Sequence, residues 1–167
     1  MKYFNGIKTL EELKKMYHKL AVKLHPDMGG NLEDMQELNA EYDALFDRVK
    51  NTHVNKEGKV YTAVTNEAPE YFRDIINELL KMANVTIEVI GAFIWVYGDT
   101  RPHKEQLKAM NFRWHAKKGC WYLAPEWYRK YNRRQYTMDE LRDMYWVTYV
   151  GHGAKDDDDE TQPKLTA

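Results

Sequence analysis

The feature that most constrains this chain is a break between two amphipathic helical stripes, written His25-Pro26-Asp27-Met28-Gly29-Gly30. Upstream, Leu10, Leu13, Tyr17, Leu20, Ala21 and Leu24 recur at helical spacing, which predicts a helix over residues 9 to 24. Thr9 followed by Glu12 supplies a capping box at its start. Pro26 cannot continue that helix and disfavours helical geometry at His25. Downstream, Leu32, Met35, Leu38, Tyr42, Leu45 and Phe46 form a second stripe, predicting a helix from about Leu32 to Val49 with Asn31 as its cap. Two such helices joined by a short loop pair as an antiparallel hairpin.

The two outer faces differ in charge. The first helix presents Lys14, Lys15, His18, Lys19 and Lys23, and the second is acidic through Glu33, Asp34, Glu37, Glu41 and Asp43. A rigid proline turn at the tip of a hairpin with one basic face is suited to steering onto an acidic protein surface.

The segment ELKKMYHKLAVKLHPDMGG, residues 12 to 30, resembles the J-domain family of DnaJ-like co-chaperones, and MQELNAEYDAL, residues 35 to 45, is similar to that family's third helix. The resemblance covers about 50 residues at the N-terminus. It implies docking on the ATP form of an Hsp70-type ATPase and stimulation of its ATP hydrolysis. It implies that His25, Pro26 and Asp27 are the essential loop, with Lys14, Tyr17, His18, Lys19 and Lys23 on the docking face. ATP would belong to the partner, so no cofactor is expected on this chain. Three departures stand out. The family's longer first helix is missing, leaving Tyr3, Phe4 and Ile7 to pack against the hairpin, no clear fourth helix follows Phe46, and His18 stands where Lys or Arg is commoner.

Beyond the hairpin, residues 51 to 68 are polar, with Asn51, Asn55, Gly58 and Asn66, and read as a linker containing a short strand between Lys59 and Val64. Pro69 to Met82 predicts a third helix, with Pro69 in its first turn and Tyr71, Phe72, Ile75, Ile76, Leu79 and Leu80 at helical spacing. The period then changes. Val85 to Tyr97 is β-branched and aromatic, predicting one long strand or two divided at Gly91. A short helix at 102 to 110, a hairpin of 112 to 114 with 121 to 123, and a helix capped by Thr137 and Glu140 follow. The expected fold class is therefore α+β: a helical hairpin at 1 to 50, a linker at 51 to 68, a small α/β domain at 69 to 150 with a two- to four-stranded antiparallel sheet, and an acidic disordered tail at 151 to 167.

Charge is unevenly spread although the formal net charge of the 167 residues is −1. Residues 101 to 134 hold Arg101, Lys104, Lys108, Arg113, Lys117, Lys118, Arg129, Lys130, Arg133 and Arg134 against Glu105 and Glu126, an excess of eight positive charges. Trp95, Trp114, Trp121, Tyr122, Trp127, Tyr128 and Tyr131 lie in or beside them. Basic and aromatic residues interleaved in this way suit single-stranded nucleic acid, with Arg101, Lys104, Lys108, Arg113, Lys117, Lys118, Arg133 and Arg134 as candidate contacts. The competing reading is that the aromatics are the core of a small domain and the cations its solvated rim. The pattern of residues 94 to 125 also resembles small strand–helix–hairpin modules of phage and mobile-element proteins.

Several classes are disfavoured. Serine is absent, which removes serine-hydrolase chemistry, and the single Cys120 allows neither an internal disulfide nor a cysteine-only zinc site. Asp99, His103 and His115 have no spacing that marks a catalytic or metal cluster, so an enzyme is not expected. Neither a signal-peptide pattern nor a membrane span is evident, and the expected setting is a reducing, cytoplasmic one without a membrane partner. The sequence thus points to a co-chaperone whose C-terminal half recruits a client or nucleoprotein complex to an Hsp70. The rivals are a single-stranded nucleic-acid-binding accessory protein with the hairpin as scaffold, and an inhibitor that occupies the Hsp70 docking site.

Overall fold

A computed structural model describes residues 1–55, 57–126, 128, 134–145 and 147–151. The expected acidic tail beyond Gly151 lies outside the described residues, as do Trp127, Arg129, Lys130, Tyr131 and Arg133. The chain is mixed α+β and divides into two compact units, Met1–Met82 and a second beginning at Ala83. No helix among the described residues is long and apolar enough to cross a membrane.

The first unit is built on α1 (Leu10–Leu24) and α2 (Leu32–Val49). The capping box of α1 forms as expected: Glu12 N–H donates to the Thr9 hydroxyl at 3.3 Å, and Thr9 N–H donates to the Glu12 carboxylate at 3.1 Å. The two helices pack through Leu13, Tyr17, Ala21, Leu38, Tyr42, Leu45 and Phe46, all buried. The Tyr17 and Tyr42 rings lie 4.6 Å apart between centroids, and the Tyr17 hydroxyl donates to Asn39 at 2.9 Å. A buried pair of tyrosines combines large apolar area with a polar tip that needs a partner.

Two amphipathic helices alone leave one side of their contact open, and here two further pieces close it. The N-terminal segment straps across α2. Phe4 is buried with its ring edge-on to Tyr42, while the Lys2 and Tyr3 amides both donate to Glu41. The Lys2 ammonium binds Asp34 and Glu37. On another side, α3 (Pro69–Leu80) buries Phe72, Ile75, Ile76, Leu79 and Leu80 and packs on both α1 and α2. Arg73 pairs with Asp43, and the Phe72 ring meets Tyr17 edge-on at 6.2 Å. Placing this helix with the C-terminal domain, from residue 69, is therefore corrected: its apolar stripe is spent on the hairpin.

The stretch expected to be a linker is folded. Strands β1 (Thr52–Val54) and β2 (Val60–Thr62) pair antiparallel, Thr52 opposite Thr62. Asn55 organises the turn, its side-chain oxygen accepting from the amides of Glu57 and Lys59. The ribbon is tied to α1 by Glu11, which pairs with the buried His53 ring at 2.9 Å and accepts from the Val54 amide at 3.1 Å.

The second unit contains β3 (Val85–Ile90), β4 (Phe93–Gly98), α4 (Lys104–Ala109), β5 (Arg113–His115), β6 (Cys120–Leu123), α5 (Met138–Met144) and β7 (Val147–Gly151). The strands form one antiparallel sheet in the order β5-β6-β4-β3-β7. The break at Gly91 (φ 57°) turns the long apolar run into a hairpin, Ile90 opposite Phe93. The sheet has five strands rather than four at most, because β7 adds to the outer edge of β3. One face carries Ile90, Trp95 and Cys120, with Phe93, Tyr97, Tyr122 and the α5 side chains Met138 and Leu141 packed against them. In the middle of it Glu88 is fully buried and takes two hydrogen bonds from the Arg142 guanidinium, at 2.6 and 2.9 Å.

That pair pins α5 to the sheet, and removing one partner strands a charge. Arg142→Ala is expected to lower stability by about 2–3 kcal/mol, a figure reduced because the arginine is partly exposed. The double change of Glu88→Met with Arg142→Met should recover most of that loss. Urea denaturation followed by tryptophan fluorescence checks both, and an Arg142→Ala variant as stable as the parent would show that the pair contributes little.

Candidate functional site

The site is the tip where α1 ends. His25 is held extended (φ −66°, ψ 131°), as the following proline requires, while its amide still donates to Ala21 at 2.8 Å. A single 3₁₀ turn, Pro26–Met28, follows, with Met28 N–H and Gly30 N–H both donating to the His25 carbonyl. Gly29 adopts φ 88°, open to glycine at little cost. Gly30 is needed for space: a Cβ there would lie 2.2 Å from the Leu24 carbonyl carbon and oxygen. Asn31 then caps α2 by accepting from Glu33 N–H at 2.9 Å.

Within this turn the three central residues divide their tasks. The His25 ring is buried, and its Nδ1 accepts a hydrogen bond from the Asp27 amide at 3.2 Å. That contact places the ring proton on Nε2 and makes His25 the internal brace of the loop. Pro26 and Asp27 are exposed, with the Asp27 carboxylate 3.9 Å from the histidine ring at its nearest. The tip therefore presents a carboxylate and a proline ring on a braced turn.

Only part of the expected basic face lies at the surface. Lys19 and Lys23 are exposed and four residues apart, so they stand side by side on α1 leading to the tip. Tyr17 and His18 are buried, which corrects their placement on the outer face. Lys14 is largely covered: its ammonium binds Glu67 at 2.7 Å and sits 5.0 Å from the Phe72 ring centroid. The reason is common to all three. Helix α1 packs against both α2 and α3, so its buried arc is wider than the single stripe that periodicity reveals. Burial pushes the pKa of the Tyr17 phenol above its ordinary value. It lowers that of His18 from 6.5 to about 3, because neither ring nitrogen has a partner among the described residues to stabilise a charge.

The second candidate set, in the basic C-terminal half, is also sorted by the structure. Arg101, Lys104, Arg113 and Lys117 are exposed, whereas Lys108 pairs with Glu105 and Arg134 with Glu140. Lys118 turns inward, donating to the Tyr136 carbonyl with its ammonium 5.8 Å from the Trp95 ring centroid, and burial lowers its pKa. Arg133 lies outside the described residues. Cys120 is buried in the sheet, and burial pushes its thiol pKa up, away from thiolate chemistry.

Comparison with known proteins bears on the first site. Over 40 residues the chain is 50% identical to the chaperone protein dnaJ A6 of Oryza sativa subsp. japonica. Over 42 residues it is 48% identical to DnaJ protein homolog 2 of Allium porrum. These stretches cover 24% and 25% of this chain and 10% of each relative. No family model matches, and no solved structure matches. The chain thus contains a segment similar to one in DnaJ-type chaperones, and the likeness spans about a tenth of their length.

Buried His18 makes the first unit acid-sensitive. Its pKa is depressed in the folded state, so between pH 6.5 and about 3 the unfolded chain binds a proton that the folded chain refuses. Stability is complete above that window and falls as the pH drops through it, by about 2 kcal/mol between pH 7 and pH 5 from this group alone. His18→Leu is expected to raise the urea midpoint and to flatten this acid limb. An unchanged pH dependence in the variant would show that His18 is not its source.

Proposed function

We propose that this protein is a J-domain co-chaperone: the His25-Pro26-Asp27 tip docks on an Hsp70-type ATPase and stimulates its ATP hydrolysis. The observation that supports this most is the braced tip itself, with Pro26 and Asp27 outward and His25 held beneath them by the Asp27 amide. The similarity to DnaJ-type chaperones supports the choice of partner.

In this reading Asp27 supplies the charge that the ATPase recognises, and Pro26 fixes its direction. Lys19 and Lys23 steer the encounter toward an acidic surface, which makes association fast and dependent on salt. Lys14, Tyr17 and His18 take no direct part; they hold α1 against its neighbours. His25 is a positioning residue, acting through the loop that it braces. The second unit brings the client, or the complex that contains it, to the chaperone. The protein binds no cofactor of its own, acts in the cytoplasm and catalyses no reaction by itself.

The test is single-turnover ATP hydrolysis by an Hsp70 with and without the protein. The wild-type chain should accelerate hydrolysis, Asp27→Asn should abolish the acceleration without changing thermal stability, and the Lys19→Glu, Lys23→Glu double variant should weaken it and reduce its salt dependence. A wild-type chain that leaves the rate unchanged, where a control J-protein raises it, would refute the stimulatory role. A chain that suppresses the control's effect in an Asp27-dependent way would instead identify an inhibitor at the same site.

A further inference from the structure

The second unit exposes an aromatic ring that its own core does not use. Trp114, on the edge strand β5, keeps 51% of its surface in contact with solvent. Its strand partner Trp121 is buried and meets it edge-on, with ring centroids 5.6 Å apart. Trp121 thus belongs to the interior and holds the Trp114 indole from one side. A half-exposed tryptophan forgoes much of the free energy that burial of so large a ring would release, which is uncommon unless something else covers it.

Positive charge surrounds this ring in the sequence and remains uncommitted in the structure. Arg113 precedes Trp114, and Lys117 lies in the turn that follows. Arg101 and Lys104 are exposed on the approach to α4. None of these four has a carboxylate partner among the described residues, whereas Lys108 and Arg134 are paired and Lys118 is turned inward. An uncovered indole beside unpaired cations complements a ligand that carries both flat rings and phosphates.

We propose that the β5 end of the second unit binds single-stranded nucleic acid, one base stacking on Trp114 while Arg113 and Lys117, with Arg101 and Lys104 further along, bind phosphates. A single strand fits better than a duplex, since a lone indole at a sheet edge can stack only on a base that is free of its own neighbours. Helix α4 has six residues, about 9 Å, and turns Leu107 into the core, so it has little to offer a major groove. A peptide added to the β5 edge would find only three residues to pair with and nothing to match the cations. This surface is independent of the Hsp70 reading.

The test is fluorescence anisotropy of labelled oligothymidine and oligouridine of about ten nucleotides, titrated with the full chain. Binding that weakens steeply with salt is expected. Trp114→Ala should weaken it about tenfold or more, Trp114→Tyr should restore most of the affinity, and Arg113→Gln and Lys117→Gln should each lower the salt slope by about 0.7. Asp27→Asn should bind as the parent does. If Trp114→Ala does not fold, the Arg113→Gln, Lys117→Gln double variant, confined to exposed residues, must still weaken binding. The proposal is overturned by an absence of binding at low salt, by affinity indifferent to Trp114, by a duplex of equal length competing as well as the single strand, or by binding to anionic vesicles but not to oligonucleotides. Preference between the two oligonucleotides would assign the strand as DNA or RNA.

Discussion

Everything in the first unit depends on how the chain reverses at Pro26. The proline forces His25 out of the helix, and the histidine ring then accepts the Asp27 amide that the broken helix leaves unbonded. Gly30 must pass so close to Leu24 that no side chain fits between them. A turn held by a proline, a buried ring and a glycine contact has little freedom left. It fixes where α2 begins, and so which faces of the two helices meet. The same bonds that set the fold also aim Asp27 outward, so His25 and Gly30 cannot be changed without disturbing the turn, whereas Asp27 can.

The hairpin then needs walls. Two helices of this length share only one seam, and the large Tyr17 and Tyr42 rings gain from being covered on their remaining sides. Phe4 and its strap close one side, and Phe72 with the rest of α3 closes another. Lys14 is drawn inward in the process, paired with Glu67. The cost of this arrangement falls on His18, sealed in without a hydrogen-bond partner among the described residues. The second unit solves a similar problem differently. Its sheet buries a carboxylate, Glu88, and brings α5 across to neutralise it with Arg142.

Much of this was legible in the sequence, and the failures have physical causes. Both capping boxes, Thr9 with Glu12 and Thr137 with Glu140, form as written, since a cap depends only on residues three apart. The helices α1 to α3 and the division of the long apolar run at Gly91 follow from period and backbone preference. What depended on tertiary packing was missed. His18 beside Tyr17 looks solvent-facing on a helix with one buried stripe, and α1 has a wider buried arc than that. Residues 51 to 68 look like a linker because their stabilising groups are asparagine side chains bonding to backbone, a signal that composition reads as polarity. The β-branched and aromatic run at Val147 to Val150 marks β7, but its brevity after a helix hid it. At the site, the sequence places His25 and Asp27 together at the tip of a proline turn, whereas the burial of the His25 ring and its bracing role needed coordinates.

The central claim is that the exposed Pro26-Asp27 tip, with Lys19 and Lys23 leading to it, is where an Hsp70 engages this chain. Hydrogen–deuterium exchange of the full protein with and without ATP-loaded Hsp70 tests it most directly. Slowed exchange centred on residues 19 to 31, lost with Asp27→Asn, is the expected result. Slowed exchange confined to the second unit, or none at all under conditions where a control J-protein is protected, would contradict it.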